Sequence, residues 1–115
     1  MTSPSATPGV VRIDPHAALA PDPDQPGALV SMQYEGDDKR LVAGTWGADA
    51  GVAELDAYPV DEICVVLEGS ITVESSSAGR QEFLPGDVFA IRRGTALTWS
   101  QTDSTRKVYV VLNAD

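Results

Sequence analysis

Glu62 is the residue of this 115-residue chain best placed to do chemistry. In Glu62-Ile63-Cys64-Val65-Val66-Leu67-Glu68, strand alternation puts Glu62, Cys64 and Val66 on one face and Ile63, Val65 and Leu67 on the other. Both faces are mostly apolar, so both are expected to be covered. A carboxyl turned into an enclosed interior loses its water, which raises its pKa and makes it a candidate general acid or base. Tyr58, four residues upstream, is the candidate partner in proton transfer. Trp46 and Trp99 can supply stacking faces for a small organic molecule, although a buried indole more often serves as core than as a platform.

Other reactive residue types read more plainly. Cys64 shares the face of Glu62, but a lone thiol among apolar neighbours behaves as a small hydrophobe, and no adjacent residue offers it a base. Arg92 and Arg93 share a turn and could capture a carboxylate or phosphate; the plainer reading is a solvated turn. His16, the only histidine, follows Pro15 in an irregular stretch and reads as a solvated loop residue.

The elements that must position these side chains are strands. From residue 29 onward, short β-branched and aromatic runs alternate with Gly, Pro, Asp and Ser, the pattern of a sandwich or barrel. The runs predict strands near 29–34, 40–46, 52–58, 62–68, 70–75, 80–84, 87–91, 96–101 and 106–112, with an earlier one at Val10–Ile13. No helix of normal length fits. Glu68-Gly69-Ser70 and Pro85-Gly86-Asp87 carry the residues of tight reversals. Residues 2–9 and 20–27 are rich in Pro, Ala, Asp and Ser, so residues 1–9 read as a flexible tail ahead of one all-β domain over 10–115.

Bulk properties narrow the partners. A formal charge of −9 repels phosphate backbones and anionic lipid headgroups, which speaks against nucleic acid and membrane. One cysteine permits no intrachain disulfide and no multi-cysteine zinc site, and the start lacks the basic and apolar stretches of a signal peptide, so the chain reads as cytoplasmic.

Gly44-Thr45-Trp46, Tyr58 through Gly69, Phe83-Leu84-Pro85-Gly86-Asp87-Val88-Phe89, Gly94, Trp99 and Arg106-Lys107-Val108-Tyr109-Val110 follow one another in a pattern over about residues 44–112. It resembles the small cupins that share the (S)-ureidoglycine aminohydrolase cupin domain, within the RmlC-like cupin superfamily. The resemblance implies a cupin-type double-stranded β-helix, an antiparallel jelly-roll barrel, that commonly pairs as a homodimer. A metal-binding cupin directs three imidazoles and a carboxylate into its lumen. Laid on this chain, that pattern puts Glu62 at the carboxylate position, Tyr58 and Asp56 at or beside two histidine positions, Leu97 at the third, Gln101 at an asparagine position and Arg92 at a proline.

All three histidines are therefore missing. Leu97 has no electron pair to donate, and a phenol must first lose a proton with a pKa of about 10. Asp56, Glu62 and Gln101 remain as weak candidates for a hard ion such as Mg²⁺ or Mn²⁺. The family's eponymous enzyme looks manganese-dependent, drawing its ligands from histidine, carboxylate and amide groups. The reading reached is a barrel without cofactor that binds or converts a small organic molecule, Glu62 and Tyr58 acting as acid and base. Trp46, Asp56, Cys64, Arg92, Leu97, Trp99 and Gln101 would line it. A metalloenzyme using Asp56, Glu62 and Gln101, and a closed interaction or regulatory module, stay open beside it.

Overall fold

The computed structural model describes residues 8–114. Among them are ten strands: β1 (Ala20–Pro21), β2 (Ala28–Glu35), β3 (Leu41–Ala48), β4 (Gly51–Leu55), β5 (Asp61–Glu68), β6 (Ile71–Ser75), β7 (Gly79–Phe83), β8 (Val88–Ile91), β9 (Leu97–Gln101) and β10 (Thr105–Leu112). All pairings are antiparallel. One sheet runs β1-β2-β3-β10-β5-β8 and the other β4-β9-β6-β7. Successive strands mostly cross from sheet to sheet, as the jelly-roll expectation requires, and no helix is present among the described residues. The β5–β6 reversal turns at Gly69 with φ of 72°; a Cβ there would also meet the Thr105 hydroxyl, so only glycine fits.

Alternation decides what faces the lumen. On β5, Glu62, Cys64 and Val66 point in. Their partners across the ladder, Val111, Tyr109 and Lys107 of β10 and Ile91 and Phe89 of β8, share that face. Trp46 of β3 stands opposite Lys107. The four-stranded sheet contributes Trp99, Leu97, Ile71 and Val73, which close an apolar core with Cys64, Val66, Ile91 and Tyr58. Phe83 stacks on Phe89 at 4.0 Å between ring centroids, and Phe89 leans on Trp99 at 6.0 Å.

Two irregularities set phase. Between Arg106 and Lys107 the partner on β5 jumps from Glu68 to Val66, so Leu67 is an extra residue. Gln33 is the corresponding extra residue in β2.

Two expectations are corrected. Val10–Ile13 forms no strand, and Val10 is fully exposed. The segment after it, Asp14–Leu19, instead lies as a strap over the outer face of the six-stranded sheet, held by side chains rather than by a ladder. The Thr45 hydroxyl donates to the Asp14 carbonyl at 2.8 Å, and the Arg106 guanidinium donates to the carbonyls of Pro15 and Ala17 at 3.0 and 3.1 Å. The strand expected over 52–58 ends at Leu55, because Asp56 and Ala57 bend the chain; Tyr58 follows, its backbone N–H and C=O paired with Thr95 and Gly94. The tail expected over 1–9 falls, through residue 7, outside the described residues.

Candidate functional site

Glu62 is 7% exposed and has both oxygens engaged. The Tyr58 hydroxyl donates to Oε1 at 2.6 Å. On Oε2, the Lys107 ammonium donates at 2.7 Å and the Cys64 thiol at 3.3 Å. The bend after β4 delivers Tyr58, alternation on β5 delivers Glu62 and Cys64, and β10 delivers Lys107 from the neighbouring strand. Lys107 is 5% exposed, and its Nζ also lies 3.5 Å from Cys64 Sγ. Two indoles flank the ammonium, its nitrogen standing 4.8 Å from the Trp46 ring centre and 4.5 Å from that of Trp99. Those rings meet edge to face at 6.3 Å. Half-buried Trp46 and Tyr109 link this centre to solvent.

The protonation states follow from these contacts. Burial alone pushes the Glu62 carboxyl up, as the sequence predicts, but Lys107, Tyr58 and Cys64 outweigh it and hold Glu62 below the ordinary carboxylate range. The expectation of a raised pKa is thus corrected, because it took no account of a cation on the next strand. Burial lowers Lys107, and Glu62 more than restores it, leaving the ammonium charged. Burial and the Glu62 charge raise Tyr58 far beyond the usual phenol range, and burial pushes the Cys64 thiol up to about 12. The centre therefore holds a carboxylate, an ammonium, a neutral phenol and a neutral thiol, so Tyr58 and Cys64 can donate hydrogen bonds but are poor bases and nucleophiles.

Of the sequence-predicted residues, Tyr58, Glu62, Cys64, Trp46 and Trp99 are brought together, and Leu97 packs in the apolar core with Tyr58, Cys64 and Trp99. Asp56 and Arg92 stand apart, and Gln101 touches the group through the Trp99 indole. Exposed Asp56 and buried Leu97 line a shallow cleft with Glu54 and Glu74 that neither Glu62 nor Tyr58 lines. Gln101 accepts from the Trp99 indole N–H at 2.8 Å and donates to the Asp49 carbonyl, which commits its amide to the rim of β9. Arg92 is exposed in its turn, where its carbonyl accepts from Thr95. His16 is exposed within the strap.

This donor set does not fit a divalent ion. Asp56 and Gln101 are not gathered around Glu62, the Glu62 carboxylate already carries an ammonium, and among the described residues no three His, Cys, Asp or Glu side chains converge.

Lys107 is the functional candidate that sequence reasoning missed. The available signal was its position: Thr105, Lys107, Tyr109 and Val111 alternate on one face of a strand whose register with β5 puts them beside Glu62 and Cys64. Lysine is so seldom buried that composition argues against using this signal.

The family described as the EutQ-like cupin domain matches residues 35–109. No curated protein matches the chain. Among solved structures, a putative ethanolamine utilization protein Q from Salmonella typhimurium is 25% identical, with TM-score 0.63, covering 76% of this chain and 71% of that one. A protein of unknown function from Pseudomonas syringae superposes with TM-score 0.72 at 22% identity over 86% of this chain, which spans only 46% of that protein. KdgF from Halomonas is 17% identical with TM-score 0.67, covering 90% of this chain and 94% of its own, a likeness of fold alone. The match over residues 35–109, on an all-β fold shared with these structures, makes the chain a member of the EutQ-like cupin domain family.

Proposed function

We propose that this domain binds a small organic molecule at the mouth of its barrel, above the Glu62–Lys107 pair, and does so without a metal centre. The observation that carries the reading is that pair, buried at 2.7 Å between two indoles. Burying an ion pair is a poor way to stabilise a small domain, since the desolvation of both charges offsets most of their attraction. Charged groups gathered with aromatic faces in a barrel interior are, by contrast, the usual equipment of a binding site. Half-buried Trp46 and Tyr109 supply the entrance, and Glu62, with Tyr58 as hydrogen-bond donor, supplies the polar anchor. The Salmonella relative's description makes ethanolamine the first compound to test.

A thermal-shift screen of small polar and aromatic compounds, begun with ethanolamine, tests this. A binding compound raises the melting temperature of the native protein, and Glu62→Gln folds but loses that response; an unchanged response in the variant rejects Glu62 as anchor. If no compound shifts the native protein, the second reading gains: a barrel closed by its own side chains that serves as an interaction or regulatory module. It is favoured by the absence, among the described residues, of any buried side-chain polar atom without a partner. Ureidoglycine-type hydrolysis on a divalent ion would need stoichiometric metal on protein purified without chelator. A metal content well below one ion per chain removes it.

For quaternary structure we propose a homodimer, with the cytoplasm as compartment. Ile63, Val88 and Leu112 stand exposed on the outer face of the six-stranded sheet, with half-buried Val65, Val108 and Val110 between them. The aliphatic side chains are contiguous, with Asp61, opposite Leu112 and accepting from the Arg93 N–H, at their edge, so two copies can meet there over an apolar centre. Light scattering is expected to give twice the chain mass, and Ile63→Asp the monomer.

A further inference from the structure

Lys107 supplies the positive charge of the lumen, and the groups around it define what kind of cation that place suits. Its Nζ meets one carboxylate oxygen at 2.7 Å and two indole faces at 4.8 and 4.5 Å, while the other carboxylate oxygen is covered by the Tyr58 hydroxyl. A divalent metal needs several oxygen, nitrogen or thiolate donors around it. Here one oxygen, a protonated thiol and two π-faces are on offer, a set that favours an organic ammonium, whose charge is spread over N–H and C–H edges. Its inner part is nearly closed to water, since Glu62, Trp99 and Lys107 are each no more than 7% exposed, while Trp46 is half-buried.

We infer that Glu62, Trp46 and Trp99 form an ammonium cage filled by the chain's own Lys107, and that vacating it creates a site selective for a free primary alkylammonium ion over a divalent metal. This does not rest on a ligand binding at the barrel mouth. It makes Lys107 an internal tenant of the position between Glu62 Oε2 and the two indoles, beneath the barrel mouth, that an external amine or metal ion would otherwise take.

Truncating Lys107→Ala removes three methylenes and the ammonium, the atoms of n-propylamine. The truncated protein is expected to melt well below the native one, and n-propylammonium chloride at tens of millimolar to raise its melting temperature by about 5 °C or more. Equal concentrations of 1-propanol, propionate, Mg²⁺, Mn²⁺ or Zn²⁺ are expected to move it by less than about 1 °C. Two variants hold the comparison. Lys107→Met fills the space and gives no propylammonium response; Glu62→Gln combined with Lys107→Ala keeps the space and loses the selectivity for amine over alcohol.

An equal rise with 1-propanol overturns the inference in favour of simple cavity filling. A rise in the methionine variant overturns it in favour of binding to the acidic surface, and a larger rise with a divalent ion in favour of a metal site. No rise with any compound overturns it outright. If Lys107→Ala does not fold unaided, the readout is recovery of native tryptophan fluorescence on refolding with propylammonium; no recovery, while Lys107→Met folds, also overturns it.

Discussion

Thr45 and Trp46 are neighbours on β3, as Arg106 and Lys107 are on β10, and each pair divides between the two faces of one sheet. Inside, Lys107 and Trp46 join Glu62, Tyr58 and Cys64 in a cluster of side chains bound to side chains, at the centre of which two opposite charges are shut off from water. Outside, Thr45 and Arg106 bind main-chain carbonyls of Asp14, Pro15 and Ala17, and Gln33 bridges Thr45 and Asp14. The outer cluster is an ordinary latch. Losing Arg106 frees two carbonyls, and losing the Thr45 hydroxyl leaves the Asp14 carbonyl its bond from Gln33, so the losses are graded. The inner cluster is balanced as a set, and removing one member leaves a charge buried without its counterpart.

The largest effect should come from unbalancing the inner set. Lys107→Met is expected to cost about 3–5 kcal/mol in a denaturant titration, whereas Lys107→Met with Glu62→Gln should return to within about 1–2 kcal/mol of the native protein. If single and double variants are equally unstable, the cost is one of packing and the contrast between the two faces fails.

A pH series sharpens the same point. Glu62 has a depressed pKa in the folded state, so its contribution is present above the unfolded value of about 4.3 and is lost as pH falls through the lower folded value. Lys107 has a raised one, so its contribution is present below about 10.4 and is lost as pH rises through the higher folded value. The pair's contribution should be level between roughly pH 5 and 10, and Glu62→Gln should flatten the acid limb of the stability curve. An acid limb unchanged by that substitution would assign it to surface carboxylates.

On the outer face, Thr45→Val should cost about 1–2 kcal/mol and speed amide exchange in the strap over 14–19 while leaving the lumen's tryptophan fluorescence unchanged. Smallest of all, Arg106→Met should cost about 1 kcal/mol, with the same local signature. Loss of the lumen signal in either variant would show that the two faces are coupled.

The fold was legible because its devices are local. Alternation in Glu62–Val66 and the glycine reversal at Gly69 each act within a few residues, and β5, β6 and β9 lie where their patterns place them. Val10–Ile13 misled because β-branched residues there satisfy a propensity with no neighbouring strand to pair with. Asp14–Leu19, without strand propensity, binds by main-chain carbonyls that composition does not reveal.

The candidate site was half legible. Glu62 was found by parity, and with it Cys64, but the state of Glu62 was misjudged because the partner that decides it lies 45 positions away on β10. Asp56 and Gln101 were assigned by spacing borrowed from a pattern with histidines. Without those ligands Asp56 stays exposed in its bend, and Gln101, on the face of β9 that Trp99 shares, spends its amide on the Trp99 indole and the Asp49 carbonyl at the rim.

Leu67, the extra residue of β5, has a consequence out of proportion to its size. Glu62 and Glu68 are an even number of residues apart and on a regular strand would point the same way. The slip at Leu67 reverses the phase, so that Glu68 lies against Arg106 at 3.8 Å on the outer side while Glu62 meets Lys107 within. One unpaired leucine thus sorts two acids between two adjacent bases: were Leu67 paired as an ordinary residue opposite Arg106, Glu68 would fall opposite Thr105, turn to the inner face and leave Arg106 without its carboxylate.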